Sequence, residues 1–195
     1  MLILAGIGDY VPLIIVVVVV VLLLIWGVSV YNKLVKARNQ VRNAWSQIDV
    51  QLTRRFDLIP NLVETVKGYA THEKEIWEQF AAARNLYDRA KAGNDVDQMD
   101  EANNQISSAL ARLMVVQEQY PALKADVHFT TMMNDLKETE SQIAFTRQFY
   151  NDTALKYNNT REIFPTVVIA AICKFKPADF FKASDEAKTA PKVSF

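Results

Sequence analysis

Glycine is scarce in this chain of 195 residues, with five copies at positions 6, 8, 27, 68 and 93 and none in the last hundred. Strands joined by tight turns and phosphate-cradling loops both depend on glycine, so the part outside any membrane should be nearly all helix. No Walker A loop, GxGxxG, GxSxG or HExxH run occurs, and His72-Glu73 is only a fragment of the last. A single cysteine, Cys173, excludes an internal disulfide and fits a reducing compartment. With two histidines, His72 and His128, and no CxxC there is no zinc pattern. The charge balance is even, 22 basic against 22 acidic residues, which leaves no basic excess to suggest nucleic acid. No enzyme, cofactor or metal site is therefore expected.

What the chain does contain is an uncharged apolar run from Val11 to Val30, VPLIIVVVVVVLLLIWGVSV. About 20 such residues suffice to cross a bilayer as a helix, and in hydrocarbon the backbone has no other hydrogen-bond partners. Residues 1–10 carry no Lys or Arg, unlike a secretory signal, so the run reads as a retained anchor. Lys33, Lys36, Arg38 and Arg42 follow it before the first acidic residue, Asp49, which places the C-terminal side in the cytoplasm and residues 1–10 outside. Trp26 and Tyr31 suit the headgroup boundary.

Beyond the anchor, four stripes with three- and four-residue spacing mark amphipathic helices. The first is Leu34, Arg38, Val41, Trp45, Ile48, Leu52 and Ile59, interrupted by Pro60, where Asp57 could cap a second helix. The second runs through Leu62, Val66, Tyr69, Glu73, Ile76, Phe80, Ala83 and Tyr87 to a tight reversal at residues 92–95. The third is Val96, Met99, Asn103, Ile106, Leu110, Leu113, Gln117 and Tyr120, after which Pro121 opens the fourth helix. That last stripe holds Phe129, Met133, Leu136, Glu140, Ile143, Arg147, Tyr150, Ala154 and Tyr157. Two arrangements satisfy these stripes, an up-down antiparallel four-helix bundle or one long hairpin kinked at both prolines.

After Asn159 the helix should end ahead of Pro165, and residues 163–182 form an apolar segment too short to span a membrane. An even number of helix traversals returns it to the membrane end. Ile163, Phe164, Val167, Val168, Ile172 and Phe175 should then lie against the anchor, a neighbouring subunit or the inner leaflet. Residues 183–195 read as a polar, disordered tail.

The stretch from Tyr31 to Glu73, YNKLVKARNQVRNAWSQIDVQLTRRFDLIPNLVETVKGYATHE, closely resembles the signature region of the LemA family. EQYPALK at 118–124, TESQIA at 139–144 and the Tyr-Asn pairs at 150–151 and 157–158 extend the resemblance over nearly all of residues 20–180. It implies an all-α bacterial membrane protein with one N-terminal transmembrane helix (residues 11–30). An antiparallel bundle of long helices (residues 31–162) follows, and the resemblance favours this bundle over the hairpin. It implies no enzymatic activity, and links with magnetosome membranes, membrane metalloproteases or TPM-domain proteins.

Four charges fall on stripes expected to be buried, Arg38, Glu73, Glu140 and Arg147. Unpaired burial would be costly, so they should form a polar network fixing helix register or line a ligand pocket. Arg54-Arg55 reads as solvated surface, and the Tyr-Asn pairs as packing groups near the membrane end. The expected function is a self-associating, membrane-tethered scaffold in contact with lipid, located in the bacterial inner membrane. The alternative is a sensor or adaptor with a ligand or protease site in the bundle.

Overall fold

The structure, a computed structural model, describes residues 2–69, 73–93 and 95–181, with side chains from Tyr10 onward. His72, Asn94 of the reversal at 92–95, and the polar tail lie outside the described residues. Among those described there is no strand. The helices are α1 (Leu2–Lys67), α2 (Lys74–Gly93), α3 (Val96–Val116), the four-residue α4 (Pro121–Lys124), α5 (Val127–Glu162) and α6 (Thr166–Ile172). A 3-10 turn at Gln117–Gln119 precedes α4.

The chain divides into two compact units, one of Met1–Asn43 with Asp152–Asp179 and the other of Ala44–Asn151 with Phe180–Phe195. In the first, α1 exposes its apolar residues from Tyr10 to Val28 on every side, with Leu22, Leu23, Leu24 and Ile25 each about 60% exposed or more. Almost none of this stretch is buried, and α1 is the one described helix long and apolar enough to cross a membrane. Val30, Leu34 and Val41 of α1 are buried within the same unit, as are Ala154 and Tyr157 of α5, Ala170 of α6 and Phe175.

In the second unit one continuous core draws on α1, α2, α3 and α5, including Ile48, Leu52, Leu62, Phe80, Ile106, Leu113, Phe129 and Leu136. The 3/4 stripes explain why these residues meet, since each helix turns one apolar face inward. Polar contacts give the directions. Asp49 pairs with Lys91 at 3.2 Å while Phe56 lies near Arg84, so α1 and α2 run antiparallel. Ser107 lies beside Glu140 and Asp100 pairs with Arg147, so α3 and α5 do too. Tyr120, beyond the end of α3, reaches Glu73 just before α2, as antiparallel neighbours would. These directions are compatible with the expected up-down order.

The expected break at Pro60 does not occur. Helix α1 continues through Pro60 to Lys67, and the chain leaves it at Gly68 and Tyr69. A proline inside a helix leaves the carbonyl four residues earlier without its N–H donor, normally a strong reason to break. Here that carbonyl belongs to Phe56, and the Arg84 guanidinium from α2 donates to it at 3.0 Å. A side chain from the neighbouring helix thus supplies the hydrogen bond that Pro60 cannot. Arg84→Met should lower the unfolding free energy by about 1–2 kcal/mol. The loss should shrink in a Pro60→Ala background, where residue 60 regains an N–H. Equal losses in both backgrounds, measured by chemical denaturation in mild detergent, would contradict this account.

The Pro121 expectation fares differently. Pro121 does take the first helical position, but of α4 alone, and the long helix starts at Val127. Asp126 begins it, accepting from the Phe129 N–H at 2.9 Å and from the Tyr69 hydroxyl at 2.9 Å. The Phe129 N–H and then the Tyr69 hydroxyl hold the Asp126 carboxyl below its usual value. A depressed carboxylate stabilises the fold above its unfolded pKa, and that contribution is lost as pH falls through the folded value. Thermal denaturation should therefore show a fall in midpoint below about pH 4 that is shallower in Asp126→Asn.

Candidate functional site

Two polar or amphipathic centres stand out, one in each unit. In the second unit the centre is Arg55, which is 1% exposed and among the largest fully buried side chains of the described residues. It sits at the gap in the first stripe between Leu52 and Ile59, on the inward face of α1. Its guanidinium pairs with the Glu140 carboxylate of α5 and donates to Asn103 Oδ1 and, at 3.1 Å, to Ser107 Oγ of α3. The Ser107 hydroxyl in turn lies 3.1 Å from Glu140 Oε2. Burial pushes the Arg55 guanidinium below its ordinary value, with Glu140 pulling it back up and Arg147 adding to the depression.

Arg147 pairs with Asp100 and lies over the Phe181 ring at 5.4 Å from its centroid. Burial lowers the arginine's pKa and raises that of Asp100, each against the pull of its partner. Glu140 is half exposed and lines a cleft of about 770 Å³ together with Gln79, Glu101, Asn104, Ser107, Ser108 and Arg112. This wall can accept hydrogen bonds through carboxylates and amide oxygens, and donate through hydroxyls, amides and one guanidinium. Among the described residues no group of histidine, cysteine and carboxylate side chains is arranged to hold a metal.

The four charges expected to form one network are thus distributed. Glu140 and Arg147 lie close enough to influence each other, with Arg55 as the shared neighbour. Glu73 accepts from the Tyr120 hydroxyl at 3.4 Å and lines a separate cleft of about 610 Å³ with Lys74, Arg112 and Val116. Arg38 belongs to the first unit, where its guanidinium lies 5.2 Å from the centre of the Phe175 ring. Arg55, read as solvated surface, is the buried hub, whereas Arg54 is exposed. The signal was the empty stripe position, opposite the polar member Asn103 of the third stripe.

In the first unit α6 packs on α1. Ile169 Cδ1 is 4.0 Å from the position a Cβ would take on Gly27, and Phe175 meets Tyr31 edge-on at 5.8 Å. Lys174 adopts a left-handed φ of 54°, and the chain closes α6 with Lys174 N–H to Ala171 O and Phe175 N–H to Ala170 O. That turn directs Phe175 back to Tyr31 and Arg38. Trp26 is 38% exposed and Tyr31 43%, while Ile163, Phe164, Val167, Val168 and Ile172 are all exposed and Phe175 is buried.

The strap after α6 is held by the Tyr-Asn pairs. Asn158 accepts from Ala178 N–H at 2.9 Å and donates to Ala178 O at 2.8 Å, while the Tyr157 hydroxyl donates to Lys176 O at 2.7 Å. Asn151 makes the same reciprocal pair with Phe181, at 2.9 and 3.1 Å.

Residues 44–195 match the sequence model of the LemA family. Magnetosome protein MamQ 1 of Paramagnetospirillum magneticum is 28% identical over 175 residues, 78% of this chain and 64% of that protein. Magnetosome protein MamQ of Magnetospirillum gryphiswaldense is 26% identical over 174 residues, 77% of this chain and 64% of its own length. Protein LemA of Metamycoplasma hominis is 28% identical over 157 residues, 79% of this chain and 69% of its own. The chain thus spans just under two thirds of the magnetosome relatives' length. With the family match covering most of the sequence, the chain belongs to the LemA family.

Proposed function

We propose that the protein is a non-enzymatic, membrane-tethered helical scaffold that self-associates and organises a membrane or membrane complex in the bacterial inner membrane. The observation that carries this reading is the uncovered apolar stretch of α1, continuous in one helix with the core of a folded helical domain. The basic residues after the stretch favour a cytoplasmic bundle. On α5, Phe145 is 66% exposed, an apolar side chain suited to contact with another protein surface. The relatives named as magnetosome proteins accord with a membrane-organising role. A membrane protease or TPM-domain protein is a partner of the kind the reading admits.

Native mass spectrometry of the full chain released from membranes with native lipid tests this. Homo-oligomers or a co-purifying membrane protein are expected. A bare monomer would overturn it.

The cleft beside Glu140 favours a second reading, a sensor that binds a small polar ligand against Glu140, Ser107 and Arg112. A thermal-shift screen with small polyols and cations should then find a ligand whose stabilisation Glu140→Gln abolishes. A screen without any such ligand counts against it.

A further inference from the structure

We infer that α6 and the turn before it form a second membrane-embedded element, a short apolar wedge seated in the leaflet beside the point where α1 leaves the bilayer. The inference rests on the membrane reading of α1. Ile169 Cδ1, 4.0 Å from where a Cβ on Gly27 would lie, sets α6 beside α1 three residues before Val30, the end of the apolar run. At 1.5 Å per residue that is about 5 Å inside the boundary. Interfacial helices bury their apolar faces to a depth of about 5–10 Å, so the level matches.

The outward side chains are apolar where a helix facing water would be polar. Phe164 is 78% exposed, Ile172 70% and Ile163 60%, with Val168 beside them. Several polar groups of the segment are paired within it, as a bilayer favours. The Thr166 hydroxyl lies 2.6 Å from both the Thr160 and the Ile163 carbonyl oxygens. Val167 N–H donates to Ile163 O at 3.0 Å, and Lys174 and Phe175 close the other end on Ala171 and Ala170. Lys33 and Lys36 on α1, and Lys174 and Lys176 after α6, supply cations suited to anionic headgroups. A second copy of the chain could also cover the patch. Continuity with the spanning stretch and the internally closed backbone favour lipid.

Cys173, the sole cysteine, is exposed next to Ile172 and serves as the reporter. The full chain is labelled there with an environment-sensitive fluorophore and reconstituted in phosphatidylethanolamine–phosphatidylglycerol vesicles. A Cys173→Ser, Glu118→Cys version provides the water-exposed reference. Expected are a blue-shifted emission, several-fold weaker iodide quenching than the reference, and strong quenching by lipids spin-labelled near the headgroup. If the chain floats with vesicles but Cys173 is quenched by iodide like the reference, the wedge is refuted while the anchor stands. Shielding from iodide without quenching by lipid would assign the patch to a second copy and also overturn it. Failure to float would remove the membrane reading itself.

Discussion

Arg55→Ala is expected to lower the unfolding free energy by about 3–5 kcal/mol. The substitution empties a site that is 1% exposed and strips partners from Glu140, Asn103 and Ser107 at once. Asn103, itself buried, keeps a desolvated amide oxygen with no donor. Glu140→Gln removes the same charge pair from the other side, but the glutamate is about half exposed, so water screens what the pair contributes. Its cost should be smaller, about 1–2 kcal/mol. Arg55→Met should fall between them, since it fills much of the volume without the hydrogen bonds. Urea denaturation of the full chain in mild detergent measures the series. An Arg55→Ala variant within 1 kcal/mol of the parent would contradict a structural role for the hub.

Asn158→Asp should release the strap and cost about 2–3 kcal/mol at neutral pH. The change is nearly isosteric, yet it replaces the amide that donates to Ala178 O with a carboxylate oxygen facing that carbonyl. Residue 158 is only 9% exposed, so the new charge is also desolvated. Burial raises the folded-state pKa of the introduced carboxyl above its unfolded value. The variant's stability is then restored as pH falls below the unfolded value and lost as pH rises through the folded one. The protection factor of the Ala178 amide, which donates to Asn158 Oδ1, should fall below the parent's at pH 7 and recover toward the parent's near pH 4. Unchanged protection at pH 7 would show that the asparagine pair does not hold the strap.

The parts of the fold that sequence made legible are those set by local periodicity. Twenty uncharged, mostly apolar residues mark the exposed apolar stretch of α1, and 3/4 stripes select the inward faces of α1, α2, α3 and α5. Long-range chemistry was harder to see. Pro60 reads as a break because the rule counts only donors within its own helix, whereas Arg84 reaches the Phe56 carbonyl from 28 positions along the chain. Stripes assign a residue to a face but not to a partner, so pattern alone groups Arg38 and Glu73 with Glu140 and Arg147, while the structure places Arg38 beside Phe175 and Glu73 beside Tyr120. Arg55 was hidden by its neighbour: Arg54-Arg55 looks like a solvated pair, and only the missing stripe member between Leu52 and Ile59 pointed inward. The Tyr-Asn repeat was visible, but its function depends on a strap twenty to thirty residues later.

Digestion of right-side-out and inverted membrane vesicles tests the central claim most directly. With α1 spanning the bilayer and the bundle in the cytoplasm, protease should cut the chain after Tyr31 only in inverted vesicles, leaving an α1 fragment in the membrane. Equal cutting in right-side-out vesicles, or release of the intact chain by carbonate washing, would contradict it.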